Sequence, residues 1–203
     1  MIMHLLDNSP PDITQHRSVA EEETSTAVVL AVAEITDVDA LELSPLYEVL
    51  DPDALDRSFA DEQGSNCSGE AQIIFPFGNC WIAVRSDDQI TVVLQEDLNS
   101  PPSPSHRKMY HTKHEWTSVS SLSTTLLQAL KKISQRGDLT YPGPLTTIID
   151  LDSLDRLFAP IDEHSLRDAG WLSFSVAGYA ITVGASGQIQ FAPASGSSSE
   201  GGV

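Results

Sequence analysis

The sequence has little lysine, little cysteine and no long apolar run. Only four of its 203 residues are lysines, and 29 Asp plus Glu against 11 Lys plus Arg give a formal net charge of −18. No apolar run approaches the roughly 20 residues that a membrane-spanning helix requires. The first twelve residues lack the basic and apolar segments of a signal peptide. We therefore expect a cytoplasmic protein with no membrane partner.

The excess of acid with little lysine is typical of proteins that work in molar salt. At about 1 M salt the Debye length falls to about 3 Å, so that repulsion among surface carboxylates costs little. An ordinary acidic protein and an acidic mimic of nucleic acid remain open as alternatives. The composition favours a halophilic protein, which is a statement about its solvent and not about its partner.

The two cysteines, Cys67 and Cys80, do not form a C-x-x-C pair. A disulfide is not expected in a reducing cytosol. Cys80 lies within an apolar strand pattern, which predicts a small buried side chain.

The chain contains a repeat with a period near one hundred residues. Residues 46–60 read LYEVLDPDALDRSFA, and residues 145–159 read LTTIIDLDSLDRLFA at a constant offset of 99. Residues 28–35 match residues 126–133 at an offset of 98. Such agreement over most of the chain predicts two tandem structural units, which we assign to residues 24–94 and 121–192.

Each unit is predicted to have an α+β fold with two helices followed by a three-stranded antiparallel meander. Apolar residues recur at helical spacing from Val28 in the first unit and from Leu126 in the second, and the period changes to two after residue 70 and after residue 170. The edges of so small a sheet are exposed, so we expect the units, or two chains, to pair through them.

The segments outside the units are predicted to carry no regular structure. Residues 1–23 are assigned to a disordered segment, residues 95–120 to a proline-rich, basic linker, and residues 193–203 to a disordered Gly/Ser tail.

The pattern Pro-Leu-Tyr-x-Val-x-Asp-Pro-Asp-Ala-Leu-Asp-x-x-Phe, from Pro45 to Phe59, resembles the halobacterial output domain of the first type. Copy two departs from it, with Leu151 in the place of Pro52 and Thr146 in the place of Tyr47. The resemblance implies a role in haloarchaeal signal transduction and brings no catalytic residues with it.

Asp51 is a plausible N-cap, with Pro52 at the first helical position and Asp53 in the first turn. We expect structural roles for the motif residues Asp51, Pro52, Asp53, Leu55, Phe59, Asp150, Asp152, Leu154 and Phe158.

The candidate metal and catalytic patterns are weak. Asp51, Asp53 and Asp56 lack the further ligand and the glycine of an EF-hand loop. His111, His114 and Glu115 lack repeat symmetry and thiolates, which favours a solvated linker over a zinc site. No nucleophile elbow and no glycine-rich phosphate loop is present. We therefore predict no catalytic residue, no metal site and no cofactor, and hence a protein that is not an enzyme.

One window of the chain is basic. Between residues 107 and 136 six bases face one acid, and these bases form a candidate interaction patch: Arg107, Lys108, Lys113, Lys131, Lys132 and Arg136. A docking surface for an acidic partner or nucleic acid is one interpretation. Packing against copy one, or simple solvation, is the favoured interpretation, because phosphate contacts weaken steeply as salt rises.

The sequence indicates two candidate functions. The first is a non-enzymatic signalling module that acts through protein–protein contacts. The second is a transcription-associated regulator that contacts nucleic acid through the basic window. The copies have diverged, and we expect copy two mainly to stabilise or orient copy one.

Overall fold

The computed structural model describes residues 15–18, 23–59, 70–95, 110–134, 145–162, 167, 169–176 and 179–193. These contain helices α1 (Thr24–Thr36), α2 (Pro52–Arg57), α3 (Leu122–Ser134) and α4 (Leu151–Leu157), with 3-10 turns at Leu46–Glu48 and Leu145–Thr147. The strands are β1 (Gln15–Ser18), β2 (Ala71–Phe77), β3 (Cys80–Arg85), β4 (Gln89–Leu94), β5 (Tyr110–Lys113), β6 (Trp171–Val176), β7 (Tyr179–Gly184) and β8 (Gln188–Pro193). No helix among the described residues is long and apolar enough to cross a membrane.

The strands form one antiparallel sheet of eight strands in the order β1-β4-β3-β2-β6-β7-β8-β5. The two units meet where β2 pairs with β6, and Ile73 lies opposite Leu172 in that pair. These two residues are equivalent positions of the repeat, since their numbers differ by 99. A pseudo-twofold axis therefore crosses the sheet at this pair.

The prediction of an α+β fold with two tandem units is confirmed, but the meander of three strands is incomplete. Each unit has a fourth strand before its first helix, since β1 pairs with β4 and β5 pairs with β8. Both strands have four residues and no apolar alternation, so the sequence gives little sign of them.

The extra strands change the assignment of the segments outside the units. Gln15–Ser18 lies within the segment 1–23 that was predicted to be disordered, and Tyr110–Lys113 lies within the predicted linker 95–120. Pairing with the meander explains both, because a ladder of backbone hydrogen bonds needs no apolar side chains. Pro193 ends β8, and the rest of the predicted tail lies outside the described residues.

The four helices of the described residues pack on one face of the sheet, and both units contribute to a single core. The strand residues that point toward the helices alternate along each strand, as in Ile73, Phe75 and Phe77 of β2. Cys80 is buried as expected, and its burial raises the pKa of the thiol to about 11. The thiol is therefore protonated at neutral pH.

Candidate functional site

The two copies of the motif lie side by side across the pseudo-twofold axis. The N–H of Asp51 donates to the carbonyl of Leu157 at 3.0 Å, and the N–H of Asp150 donates to the carbonyl of Ser58 at 3.0 Å. These two hydrogen bonds are exact equivalents at an offset of 99. The motif thus provides the contact between α2 and α4 as well as a local helix start.

The first aspartate of each motif caps its own helix. The carboxylate of Asp51 accepts a hydrogen bond from the Ala54 N–H at 3.0 Å, and Asp150 accepts one from the Ser153 N–H at 2.7 Å. Pro52 follows at the first helical position, where a missing N–H costs nothing.

The third aspartate of each motif caps the other helix of its unit. Asp56 accepts hydrogen bonds from the Ser25 N–H at 2.7 Å and from the Ser25 hydroxyl at 2.9 Å. Asp155 accepts the equivalent pair from Ser123 at 2.6 and 2.7 Å. Sequence reasoning missed this role, although the recurrence of the aspartate in both copies was a signal for it.

These caps predict a measurable loss of stability. We expect Asp155→Ala to lower the free energy of unfolding by about 1–3 kcal/mol, because it removes charge-assisted bonds at the start of α3. The matched control is Asp152→Ala, an exposed aspartate of the same motif, which should change stability by less than about 0.5 kcal/mol. Urea unfolding in molar KCl measures both. Equal losses in the two variants would contradict the capping role.

The apolar motif residues belong to the core. Leu55, Leu154 and Phe158 are each 1% exposed, and Phe59 is also buried. The second aspartates, Asp53 and Asp152, are exposed in the first turns of their helices.

The ion pairs of the motif break the pseudo-symmetry. Arg156 of α4 reaches across to the Asp51 carboxylate at 3.0 Å, whereas Arg57 lies 4.0 Å from Asp53 on its own helix. A small cleft of about 170 Å³ lies between α2 and α4, and it is lined by the charged side chains of Asp53, Arg57, Asp150, Asp152 and Arg156. Pairs as exposed as these contribute only about 0–1 kcal/mol. Within the described part of the chain, no three His, Cys, Asp or Glu side chains are grouped to hold a metal.

Arg167 connects the loop before β6 to copy one. Its guanidinium donates to the carbonyl of Tyr47 at 2.8 Å and also to the carbonyl of Ala159. Burial lowers the pKa of Arg167, and the charge of Asp51 opposes that shift. The contact fixes the 3-10 turn that carries Tyr47.

Copy one exposes an apolar surface that copy two reproduces only in part, since Leu127, the equivalent of Val29, is also exposed. A shallow depression of about 300 Å³ is lined by Ser25, Thr26, Val29, Leu30, Leu46 and Pro52. Tyr47 follows Leu46 in the chain and is 52% exposed, and Leu30 is 37% exposed. In copy two the equivalents of Leu30, Tyr47 and Pro52 are Gln128, Thr146 and Leu151. We refer to Leu30, Tyr47 and Pro52 with the depression as the apolar surface of copy one.

The described lysines of the basic window lie at two ends of α3. Lys131 and Lys132 are exposed in its last turn. Lys113 pairs with Glu115 at 3.2 Å, beside His114, which contacts Thr125 in the first turn. The two ends are roughly 10 Å apart along the helix. Arg107, Lys108 and Arg136 lie outside the described residues.

His114 is buried, which corrects the expectation that its segment is a solvated linker. Its Nδ1 lies 3.0 Å from the Thr125 hydroxyl, and its ring packs edge-on against Trp116 at 4.9 Å. The Trp116 indole N–H donates to the carbonyl of Ala185 at 2.9 Å. These contacts attach the segment after β5 to α3 and to the turn between β7 and β8.

The burial of His114 predicts a loss of stability at mildly acidic pH. Burial lowers the pKa of the imidazole below its ordinary value of 6.5, and the nearby carboxylates of Asp155 and Glu115 oppose that shift. Below about pH 6.5 the unfolded chain therefore binds a proton that the folded chain resists. The free energy of unfolding should fall as the pH drops from there toward the folded pKa.

The matched variants are His114→Gln and His111→Gln. Urea unfolding between roughly pH 7.5 and 5 should show a weaker pH dependence in His114→Gln than in the wild type. His111 is exposed on the same segment, so His111→Gln should keep the wild-type dependence. An unchanged slope in His114→Gln would contradict the assignment.

Comparison with known proteins gives one family. A family model described as halobacterial output domain 1 matches the chain twice, over residues 20–93 and 118–193. Searches of curated proteins and of solved structures find no match. The two matched ranges contain all four described helices, and the added strands β1 and β5 lie just before them.

Proposed function

The chain belongs to the halobacterial output domain 1 family in two tandem copies, and from this premise we propose that it is a non-enzymatic output module that acts through protein–protein contacts. The family's name associates it with haloarchaeal signalling and with a regulatory rather than a catalytic part in it. The contact surface in this proposal is the apolar surface of copy one.

The proposal rests on one observation: most motif residues make contacts within the fold, whereas Tyr47 remains exposed. Asp51 and Asp56 cap helices, and Leu55 and Phe59 fill the core, so these side chains are occupied within the fold. Tyr47 stays half exposed and follows Leu46, which lines the apolar depression, in a chain with a net charge of −18. Tyrosine is enriched at protein interfaces, and apolar contacts are not screened by salt as ion pairs are.

A second candidate function rests on Lys131 and Lys132. Both are exposed and adjacent at the end of α3, where a phosphate backbone could approach them. Contacts of this kind weaken steeply as salt rises, which makes nucleic acid the weaker candidate for a protein of this composition.

The test is affinity capture of partners from the protein's own cell extract at near-native salt, with and without nuclease. We expect the double variant Leu30→Asp plus Tyr47→Ala to lower the recovery of nuclease-resistant protein partners at least about tenfold, which corresponds to about 1.4 kcal/mol. The matched control is Leu127→Asp, since Leu127 is 46% exposed on the equivalent helix of copy two. Circular dichroism confirms that each variant is folded.

The lysine variant separates the two functions. Lys131→Glu plus Lys132→Glu should leave the recovery of protein partners unchanged. If it abolishes the recovery, and nuclease does the same, the nucleic-acid function replaces the proposed one. Equal recovery with Leu30→Asp plus Tyr47→Ala and with the control would reject the apolar surface as the contact.

A further inference from the structure

The repeat places two equivalent surfaces of opposite charge on the helix side of the molecule. In copy one, carboxylates adjoin the apolar surface, since Glu34 lies one helical turn beyond Leu30 and Glu48 lies in the 3-10 turn. Both glutamates are exposed. Lys132 is the equivalent of Glu34 in copy two, and Thr147 is the equivalent of Glu48. The charge beside the surface therefore changes sign from one copy to the other.

The surface of copy two is basic and keeps one exposed apolar side chain. Leu127 is 46% exposed on α3, and Lys131 lies one turn further along the same side of that helix. Among the described residues, neither Lys131 nor Lys132 has an ion-pair partner. We refer to Leu127, Lys131 and Lys132 as the basic surface of copy two. It is complementary to an apolar surface that is flanked by carboxylates.

The two units also differ in charge as a whole. Residues 24–94 contain 13 acids and 2 bases, a net charge of −11, whereas residues 121–192 contain 7 acids and 5 bases, a net charge of −2. Contact between the first units of two chains would oppose their most acidic parts. Contact between a first and a second unit avoids this repulsion and pairs carboxylates with lysines. Salt screens charges in a closed interface less than charges on an open surface.

The fold presents both surfaces in the same direction. The described helices pack on one face of the sheet, and the pseudo-twofold axis crosses the sheet where β2 pairs with β6. Helices α1 and α3 are therefore equivalent elements on either side of that axis, and their exposed residues point away from the sheet. Turning a second chain over about an axis in the sheet plane, parallel to the strands, brings its copy two onto copy one of the first chain. Its copy one then meets copy two of the first chain.

Two simultaneous contacts provide the area that one contact lacks. The depression is lined by six residues, whereas a stable interface uses about 20–30 residues from each partner. A closed twofold dimer uses both surfaces of each chain and the helices α2 and α4 between them. The cleft between these helices carries both signs of charge, from Arg57 and Arg156 with Asp53 and Asp152. The centre of such a dimer therefore does not oppose charges of a single sign.

We propose that two copies of this chain form a closed twofold dimer, in which the apolar surface of copy one binds the basic surface of copy two in the second chain. This contact rests on the proposed function, because the dimer and the signalling partner use the same surface. Leu127 provides the apolar contact, and the lysines select the orientation. The dimer covers Leu30 and Tyr47, so a partner and a second copy of the chain compete for these side chains.

Sedimentation equilibrium of the full chain in molar KCl, from about 1 μM to about 0.5 mM, tests the proposal. We expect a reversible equilibrium between monomer and dimer. Leu30→Asp plus Tyr47→Ala in copy one, and Leu127→Asp in copy two, should each raise the dissociation constant at least about tenfold, because each damages both contacts of its dimer. Circular dichroism checks that each variant is folded. A monomer at every concentration, or oligomers that grow beyond the dimer, would overturn the proposal.

An equal mixture of these two variants shows which surfaces meet. In a mixed dimer one contact joins two intact surfaces, and the other contact joins two damaged surfaces. We therefore expect a heterodimer at concentrations at which each variant alone is monomeric. If Leu127→Asp dimerises like the wild type, copy one binds copy one, or the chains pair through sheet edges, and the proposal is wrong. A mixture that is as monomeric as its components contradicts it as well.

Reversal of charge tests the role of the lysines. Lys131→Glu plus Lys132→Glu should raise the dissociation constant by about three- to tenfold. Glu34→Lys plus Glu48→Lys, added to the same chain, should restore the dimer, because the two surfaces have then exchanged their charges. A dimer that none of these four changes affects would overturn the assignment of the basic surface as the contact.

The dimer and the proposed function fail in different ways. Leu127→Asp removes the dimer contact but leaves the apolar surface of copy one intact, so its recovery of proteins other than this chain should equal or exceed that of the wild type. A wild-type chain that is monomeric, yet captures partners through Leu30 and Tyr47, would overturn the dimer alone. A dimer whose Leu30→Asp plus Tyr47→Ala variant captures the same partners would support the dimer and reject the proposed function.

Discussion

A chain that ends at residue 106 should not fold into a stable monomer, and neither should the complementary chain that begins at residue 107. Each fragment loses the ladder between β2 and β6 and the two backbone hydrogen bonds between the motifs. A central strand then becomes an unpaired edge, and half of a shared core faces water. We expect the loss of most of the cooperative transition, since a whole domain is stable by only about 5–15 kcal/mol.

The measurement is urea unfolding followed by circular dichroism in molar KCl, with molar mass from light scattering. The two fragments mixed in equal amounts are the control, and they should recover a folded 1:1 complex. A first fragment that is monomeric and as stable as the whole chain would contradict the stabilising role of copy two.

Replacing Phe158 with alanine should produce the largest effect of any single motif substitution. Phe158 is 1% exposed and lies in the core shared by both units. Truncation of so buried an aromatic side chain costs about 3–5 kcal/mol, because the cavity it leaves closes only in part. In a chain of this size the midpoint of thermal unfolding should fall by roughly 10 °C.

Leu127→Ala is the control for the effect of side-chain removal in itself. Leu127 is 46% exposed on α3, so its truncation should cost less than about 1 kcal/mol. Thermal and urea unfolding measure the loss of stability in both variants. A loss in Phe158→Ala as small as that of Leu127→Ala would place the phenylalanine of the motif outside the core.

The duplication and the class of fold were predictable because they depend on local patterns. The recurrence of residues 46–60 at residues 145–159 predicted the two units. The alternation of apolar residues in β2 and β6 predicted which side of each strand faces the core. The strands β1 and β5 were not predictable, because QHRS and YHTK carry no periodicity and form strands only by pairing with β4 and β8.

The candidate site was less predictable, since it depends on contacts between distant residues. Asp56 binds Ser25, and Arg156 binds Asp51 over 105 positions, so neither partner could be named from spacing. The hydrogen bond from Arg167 to the carbonyl of Tyr47 likewise joins residues 120 positions apart. Conversely, the basic window was visible in the sequence as one cluster, whereas its described lysines lie at separate ends of a helix.

The pairing of β2 with β6 has a consequence for synthesis on the ribosome. The partner of Ala71 is Phe174, so the edge of β2 stays unpaired until about 100 further residues have been translated. At roughly 5–20 residues per second, this delay lasts on the order of 5–20 s. Nascent chains are then able to pair with one another through that edge. Residues 24–94 contain 13 acids and 2 bases, and their mutual repulsion protects the edge only at low ionic strength, because molar salt screens it.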